Sequence, residues 1–469
     1  MKAITKSFEQ TAHQLTDMAV RAGAHSADAL SIADCGDSLR VRHGKVESVE
    51  HEDSRGIGLR AFVEKNGQKK GQLAFASAST SDVSPTGLAK LVEQVMGMAR
   101  ISEADPDAVP PLGATHPDAD ELKNWQQKHP CAETVWDIDA ARDAALACED
   151  AALTFSNEIS NSEGAEAGFG KVRVVYASSD GFSAAYEKTS ASLSASVIAG
   201  RNDGKTDAMQ RDYAWDRKFT GNALRPAKEI GEEAARRTIA RLGASGMHSG
   251  SMPVIFEPRV ATSLLGHLCS AINGRAVLQQ RSFLIDAIGK QIFPDFIQIA
   301  DNPDHPDGLG NRLFDGEGSR CAKMQIIENG VLQGFMTDRY AAKRLNTTPG
   351  GHARRGLTGD IGIGSANLLI QTGGMTQEEM LHDIGHGLLI SELIGFGING
   401  ITGDYSRGAS GFIIENGNIG RPVQEITIAG NLTDMFRNIR HVGSDLTWFG
   451  ATAAASISID GMTVAGQGE

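Results

Sequence analysis

One stretch of the chain decides the predicted fold, and it reads Val254-Ile255-Phe256-Glu257-Pro258-Arg259-Val260-Ala261-Thr262-Ser263-Leu264-Leu265-Gly266-His267-Leu268-Cys269. The apolar run 254–256 predicts a short buried strand. Pro258 suits the first turn of a helix, because its missing N–H would have no partner there. The apolar residues that follow recur at helical spacing, at Val260, Leu264, Leu265 and Leu268. The sequence therefore predicts a strand, a tight turn and a buried helix that stops at Asn273-Gly274.

The half of the chain before this stretch mixes helices with strands. Apolar residues at helical spacing predict a first helix, with Gly23 as its C-cap, and they are Phe8, Ala12, Leu15, Ala19 and Ala22. Strands are predicted over 28–33 and 38–42, and a hairpin turns at Asn66-Gly67. Further helices are predicted to end near Arg100 and to cover 136–151 and 226–242. A three-stranded meander is predicted around Asp180-Gly181.

The half of the chain that contains the stretch reads mostly as strands joined by glycine turns. Asn329-Gly330 and Asn416-Gly417 each predict a hairpin turn. Further strands are predicted over 388–393, 426–428 and 457–459. We predict an α+β fold, with an N-terminal domain of antiparallel strands and helices over 1–243 and a mostly antiparallel β domain over 244–469. A proline-rich surface linker over 102–118 is a candidate boundary within the first domain.

Composition excludes several classes of protein. The 469 residues carry a formal net charge of −13, and an acidic chain without a Lys/Arg-rich tract is not expected to bind nucleic acid. No apolar run is long enough to cross a membrane. Five widely spaced cysteines without a C-x-x-C pair favour a reducing compartment. We therefore expect a cytoplasmic protein.

Several motifs, in this order and spacing, resemble the TldD/PmbA family and within it the PmbA (TldE) branch. They are Phe314-Asp315-Gly316-Glu317-Gly318, Glu328-Asn329-Gly330-Val331-Leu332, Asn367-Leu368, Gly403-Asp404-Tyr405-Ser406-Arg407-Gly408-Ala409-Ser410-Gly411-Phe412 and Ile459-Asp460-Gly461-Met462-Thr463-Val464-Ala465-Gly466. The resemblance implies a two-subunit cytoplasmic zinc protease and makes 244–469 equivalent to the family's metalloprotease domain. It also implies that the TldD-type subunit carries a His-Glu-x-x-x-His helix and a later cysteine ligand.

At the positions of those ligands this chain reads Thr262 for the first histidine and Ser263 for the acid, and only His267 remains. No cysteine follows Cys321. Zinc in a catalytic site needs three protein ligands, and the reaction also needs a general base. We therefore expect no catalytic residue, metal ligand or cofactor in this chain, with zinc held by the TldD-type partner. His267 is expected to be a hydrogen-bonded core histidine.

The resemblance further implies a partner and a substrate. A TldD-type subunit is the expected partner, with a homodimer as the alternative when the chain is alone, and unfolded or extended peptides are the expected substrates. Members of the family have been described as modulators of DNA gyrase. The residues expected to face the substrate cleft are Thr262, Ser263, His267, Asp404, Ser406 and Arg407.

A rival metal site is the run His382-Asp383-Ile384-Gly385-His386. Its H-D-x-x-H pattern is one methylene short of the H-E-x-x-H of zinc proteases, so His382 and His386 are alternative ligands of a self-sufficient metal-dependent hydrolase. Gly385 and Gly387 weaken any helix there, and we predict the end of a helix leading into a strand. A third alternative is a regulatory binding protein without a role in proteolysis.

Two other patterns resemble ligand-binding loops. A loop crowded with acids could hold a divalent ion, but a solvated turn is favoured over it, and its members are Asp301, Asp304, His305 and Asp307. The glycine run 359–364 lacks the Lys-Ser/Thr of a phosphate-binding loop, so no nucleotide is predicted.

Overall fold

The computed structural model describes residues 2–65, 72–112, 115–129, 131, 136–200, 209–357 and 361–466, with side chains from Phe8 onward. Four features predicted from the sequence lie wholly or partly outside these residues. They are the Asn66-Gly67 turn, the start of the following strand at Gly71, residues 113–114 of the linker 102–118, and the beginning of the glycine run at Gly359-Asp360.

A six-stranded antiparallel sheet forms the first part of the molecule, in the strand order β3-β2-β1-β4-β5-β6. Its strands are β1 (Ser26–Arg42), β2 (Lys45–Glu64), β3 (Leu73–Thr80), β4 (Ile159–Ser178), β5 (Ser183–Ala199) and β6 (Gln210–Lys218). The helices of this part are α1 (Lys2–Arg21), α2 (Pro85–Ile101), α3 (Ala119–Lys128), α4 (Ile138–Thr154) and α5 (Ala227–Ala240). The apolar faces of α1 and α2 pack on β2 and β4, and those of α4 and α5 build a second core on β4 and β5.

Two strand predictions differ from the observed sheet. The segments 28–33 and 38–42 belong to the single strand β1, because Gly36 continues the strand where it passes Gly170 of β4. A Cβ on Gly36 would lie 2.7 Å from the carbonyl oxygen of Phe169, so a glycine is required by close packing and not by a turn. The segment 172–197, predicted as a three-stranded meander around Asp180-Gly181, forms only the β4–β5 hairpin, because its predicted third strand is the continuation of β5. The strand that pairs next to β5 is β6, which lies outside that segment.

The predicted surface linker 102–118 is attached to both parts of the molecule. Asp105 N donates to the carbonyl of Leu73 in β3 at 2.9 Å. From the other side, Lys343 Nζ donates to the carbonyl of Pro106 at 2.9 Å, and Arg339 Nη2 donates to that of Leu112 at 2.5 Å. Two of its carbonyl groups, those of Pro106 and Leu112, are therefore hydrogen-bonded by side chains of the C-terminal part of the chain. In an unattached linker these carbonyl groups would be left to solvent.

Two further six-stranded sheets and a short ribbon form the rest of the fold. One sheet has the order β10-β9-β8-β13-β19-β18; the other has the order β16-β15-β14-β7-β20-β17 and also pairs β16 with β20, which closes five of its strands into a ring. The strands are β7 (Gly250–Phe256), β8 (Ile299–Asp301), β9 (Met324–Glu328), β10 (Val331–Leu332), β11 (Ala353–Arg354), β12 (Gly362–Ile363), β13 (Leu368–Ile370), β14 (Gly387–Ile394), β15 (Asp404–Glu415), β16 (Asn418–Asn431), β17 (Ile439–Val442), β18 (Thr447–Phe449), β19 (Thr452–Ala454) and β20 (Ile457–Ala465). The helices are α6 (Pro258–Ala271), α7 (Gly274–Leu278), α8 (Arg339–Arg344), α9 (Gln377–Ile384) and α10 (Leu432–Arg437).

The stretch that decided the prediction folds as expected. β7 enters the sheet beside β14 and β20, and α6 follows after one residue. Leu264 and Leu268 of α6 are buried in the main core, where each leucine stabilises the fold by about 2 kcal/mol. Helix α6 ends at Ala271, just before the predicted stop at Asn273-Gly274. Asn273 also begins α7, because its side chain accepts from Arg275 N at 3.0 Å.

The α+β class is confirmed, and the C-terminal part is mostly antiparallel with parallel pairs at β7–β14 and β13–β19. Within the part of the chain that the structure describes, no helix is both long enough and apolar enough to cross a membrane.

Candidate functional site

The first turns of α6 carry Thr262 and Ser263, the two hydroxyls that the motif resemblance predicts at ligand positions. Thr262 Oγ1 donates to the carbonyl of Arg259 at 2.7 Å, and Ser263 Oγ donates to that of Val260 at 2.7 Å. Each hydroxyl is thus turned back onto its own helix. A neutral hydroxyl held in this way is neither a general base at neutral pH nor a usual zinc ligand.

His267 lies one turn further along α6 and is half-buried. Its ring meets the ring of Tyr405 edge to face, with centroids 5.9 Å apart. Burial and then the positive charge of Arg407 lower the pKa of His267 to about 4, so the ring is neutral at pH 7.

The hydrogen bond expected for His267 is not observed. Among the described residues its buried Nε2 has no hydrogen-bond partner, and the same is true of the Tyr405 hydroxyl and of Arg407 Nε. Burial raises the pKa of Tyr405 while Arg407 opposes that rise, so the guanidinium is close to both rings. The three side chains form a group, which we call the α6–β15 triad, with unused hydrogen-bonding capacity.

Alternation along β15 separates the residues that the sequence placed together. Side chains of successive strand residues point to opposite faces, so Asp404 and Ser406 lie on the face opposite Tyr405 and Arg407. Asp404 is exposed, and hydrogen bonds from Thr402 and Asn431 lower its pKa. The structure therefore brings Arg407 to His267 but does not bring Asp404 or Ser406 there.

The rival pair His382 and His386 does not share a helical face. Helix α9 ends at Ile384, and Gly385 follows it with φ 68° in the left-handed region that suits a glycine C-cap. Both histidines are exposed. Asp383 accepts from Arg440 at 2.7 Å and from His441 at 2.9 Å. In the described ranges, no three His, Cys, Asp or Glu side chains converge in a group that could hold a metal ion.

The acidic loop is not the solvated turn that was favoured. Asp301 is buried at the end of β8, where both its oxygens accept from Ala366 N at 2.8 and 2.9 Å. Asp304 is paired with Lys128 and His129 at the end of α3. The loop is thus held at Asp301 by a backbone N–H group and at Asp304 by two cationic side chains.

Sequence reasoning missed a buried ionic network that joins the first sheet to the C-terminal part. Asp28 of β1 accepts from Arg60 at 2.5 Å and from Arg355 at 2.6 Å, and the Tyr176 hydroxyl donates to it at 3.2 Å. Arg60 also pairs with Glu317 at 3.2 Å. Burial alone would raise the pKa of Asp28, but Arg355 and Arg60 outweigh it and lower that pKa. We call this group the Asp28 network.

The motif Phe314–Gly318 supplies the C-terminal side of this network. Asp315 accepts from Glu317 N and Ser319 N, each at 2.9 Å, and from Ala353 N at 3.0 Å. Burial, followed by the charge of Glu317, raises the pKa of Asp315 to about 7. A carboxylate at position 28, between the apolar residues Ala27, Ala29 and Leu30, was the sequence signal that could have revealed a buried ionic partner.

The chain matches one family along almost its whole length. Residues 27–99 match domain 1 of the PmbA/TldA metallopeptidases, 133–242 match their central domain, and 249–466 match their C-terminal domain. The chain therefore belongs to the PmbA/TldA metallopeptidase family, as the motif resemblance predicted.

Particular relatives sharpen this assignment. Metalloprotease PmbA of Escherichia coli O157:H7 is 37% identical over 433 residues, which cover 92% of this chain and 90% of that protein. A solved structure from Thermotoga maritima, described as that of a suggested modulator of a DNA gyrase, superposes with a TM-score of 0.83 at 23% identity and covers 98% of this chain and 100% of that one. TldE from Thermococcus kodakarensis gives a TM-score of 0.82 at 19% identity, covering 97% and 100%. The two structures show a shared fold.

Proposed function

We propose that this chain is the PmbA/TldE-like subunit of a two-subunit zinc metalloprotease and lacks the zinc site itself. A TldD-type partner holds the metal, and this chain completes the chamber around it. Unfolded or extended peptides are the substrates. The chain works in the cytoplasm, which its cysteine usage favours, and forms a homodimer only when the partner is missing.

The observation that carries this proposal is the donor set of α6. Of the three helix positions that the family uses for chemistry, two hold hydroxyls that donate to their own helix, at Thr262 and Ser263. The third holds His267, an isolated neutral imidazole with a pKa near 4. These residues do not fit a catalytic zinc ion, which takes three nitrogen, sulfur or carboxylate ligands. We therefore assign no step through a metal to this chain.

The α6–β15 triad is the surface that we assign to the partner's substrate chamber. Three of its buried atoms, His267 Nε2, the Tyr405 hydroxyl oxygen and Arg407 Nε, have no hydrogen-bond partner within the described residues, whereas buried polar atoms in folded proteins are almost always paired. A peptide or a partner backbone offers the carbonyl and N–H groups that would pair them. Arg407 and the Tyr405 hydroxyl donate, and neutral His267 accepts through Nε2 or donates from it according to its tautomer.

The test measures peptide cleavage and zinc content together. The TldD-type subunit is assayed on an unfolded peptide with and without an equimolar amount of this chain, and zinc is measured in each purified protein. We expect cleavage to require both chains, with stoichiometric zinc only in the partner. Cleavage by the partner that is indifferent to this chain would refute the subunit role.

Two variants separate this proposal from the self-sufficient hydrolase. Arg407→Gln should reduce cleavage by the mixed subunits and leave the zinc content unchanged. The double variant His382→Ala, His386→Ala should leave both unchanged, since those side chains are exposed and lie outside the triad. Near-stoichiometric zinc in this chain alone, lost in the double variant, would establish the alternative.

A further inference from the structure

A cavity of about 320 Å³ lies between the first sheet and α3, and none of the triad residues lines it. β5 contributes Tyr186 and Lys188, α3 contributes Trp125, and the turn after β6 contributes Phe219 and Thr220. Its volume is at the lower end of the range for small-molecule sites, and its aromatic lining is typical of them.

Lys188 is the polar group that this cavity leaves without a partner. Its Nζ lies 5.2 Å from the centre of the Tyr186 ring, and within the described residues it forms no hydrogen bond or ion pair. Lys188 is half-buried, and an ammonium group that is partly removed from water is costly unless a counter-charge accompanies it. Such a position indicates a group that an incoming ligand would pair.

The carboxylates near the cavity are already used by other cations. Glu187 pairs with Lys171 at 2.8 Å and with Arg173 at 2.9 Å. Asp304 accepts from both Lys128 and His129. Lys188 is therefore left with positive neighbours. Burial first, and then the charges of Arg312 and Arg354, lower the pKa of Lys188 to about 7.

We propose that this cavity binds a small monocarboxylate carried on an aromatic body, with Lys188 pairing the carboxylate. The aromatic body would lie among Trp125, Tyr186 and Phe219. Thr220 supplies a second donor, because its hydroxyl does not cap the short helical turn that it precedes. One ammonium group and one hydroxyl suit the two oxygens of a carboxylate. Lys128 and His129 also line the cavity but are paired with Asp304, so the larger set of donors that normally holds a phosphate dianion is already used. The inference is independent of the proposed function.

The binding experiment compares an acid with its uncharged amide. Isothermal titration of the full-length chain at pH 7 uses 3-phenylpropionate, 3-phenylpropanamide and inorganic phosphate as probes. We expect the acid to bind at least about tenfold more tightly than the amide, as a charge-assisted hydrogen bond in a dry site requires. Equal binding of acid and amide, no binding of either, or phosphate binding as tightly as the acid would each overturn the proposal.

Three variants assign the effect to Lys188. Lys188→Met keeps the length of the side chain and should abolish the preference for the acid over the amide, while Lys188→Arg should retain it. Lys228→Met is the matched control, because Lys228 is an exposed lysine of α5 paired with Glu232, and it should bind as wild type does. Because removal of an unpaired buried charge does not destabilise the fold, Lys188→Met should unfold no earlier than the control. A preference that survives in Lys188→Met refutes the assignment.

Proton uptake gives an independent readout. Lys188 is mostly neutral at pH 8 in the unliganded cavity, and a bound carboxylate favours its charged form, so binding should take up a proton. The groups that act on Lys188 are Arg312, Arg354 and Cys321. The other titratable residues that line the cavity are Lys128, His129, Cys131 and Glu187, so the uptake is assigned to Lys188 by comparison with Lys188→Met. Titrations at pH 8 in two buffers of different ionisation enthalpy should show uptake for the acid in wild type and none in Lys188→Met. Binding without uptake in wild type contradicts the proposed pair.

Discussion

The Asp28 network and the α6–β15 triad contain the same kinds of group, since each has arginine and tyrosine beside a titratable side chain. In the network, Asp28 receives two guanidinium groups and a phenol hydroxyl, and Glu317 receives both Arg60 and the N–H of Arg339. In the triad, the buried polar atoms of His267, Tyr405 and Arg407 have no hydrogen-bond partner among the described residues.

The difference separates polar groups that hold the fold together from polar groups that await a partner. In the network every carboxylate is paired, although Arg355 Nη2 has no hydrogen-bond partner among the described residues. Paired carboxylates fix one arrangement of the elements that they join, here β1 and β2 with the 314–318 turn and residue 355. An unpaired buried group lowers the free energy of unfolding, and this cost is recovered only when another molecule binds and pairs the group. The same residue types are therefore structural in one place and are candidates for function in the other.

The largest expected effect comes from removing the central charge of the Asp28 network. Asp28→Asn leaves the buried guanidinium group of Arg355 without its counter-charge and that of Arg60 with Glu317 alone, so we expect a loss of about 3–5 kcal/mol in the free energy of unfolding. Urea titration followed by circular dichroism measures it. Asp53→Asn is the control, because its pair with Arg55 is exposed and should contribute little.

The loss should also depend on pH. The folded-state pKa of Asp28 is below its usual value, so its stabilisation is present above the unfolded-state pKa near 4 and is lost as the pH falls through the folded-state pKa. The gap between wild type and Asp28→Asn should therefore shrink below about pH 4. A gap that stays constant down to pH 2, or an Asp28→Asn chain as stable as wild type at pH 7, would contradict a structural role of this charge.

A matched pair of tyrosines tests the comparison directly. Tyr176 and Tyr405 are both fully buried, but only the Tyr176 hydroxyl has a charged acceptor. Tyr176→Phe should cost about 1.5–3 kcal/mol, whereas Tyr405→Phe should change the free energy of unfolding by less than about 0.5 kcal/mol. Urea titrations of the two variants side by side give the difference, and equal losses would show that Tyr405 has a partner within the folded chain.

Local patterns predicted the elements that depend on neighbours in sequence. The apolar spacing of Val260, Leu264 and Leu268, with Pro258 at the first turn, was enough for α6. The Asn416-Gly417 turn was enough for the β15–β16 hairpin, and both residues have the positive φ that this dipeptide favours. The family motifs were enough for the fold class and the family.

Features that depend on distant residues were not predictable from local patterns. The pairing of β16 with β20 depends on packing across the ring of strands, and no local hydrophobic period predicts it. The prediction left residues 34–37 outside a strand, whereas Gly36 pairs with Gly170, more than a hundred residues away. The Asp28 network was not predicted for the same reason, since Glu317 and Arg355 lie in the other half of the chain. At the site, alternation within β15 could have separated Asp404 and Ser406 from Arg407, whereas the unpaired state of His267 required the packed structure.

The smallest expected effect, and the most local test of the triad, is the titration of His267. Since burial is the larger cause of its depressed pKa and Arg407 the smaller, NMR of the ring protons should give a midpoint near pH 4 in wild type. In Arg407→Gln the midpoint should rise by less than about one unit, and His267→Gln identifies the signal. Because the folded-state pKa lies below the unfolded value of 6.5, the unfolded chain binds the extra proton, so this residue lowers stability as the pH falls from 6.5 towards 4. A midpoint at or above 6.5 would mean that an acceptor pairs the imidazolium within the folded chain, and the triad would then resemble the Asp28 network instead of differing from it.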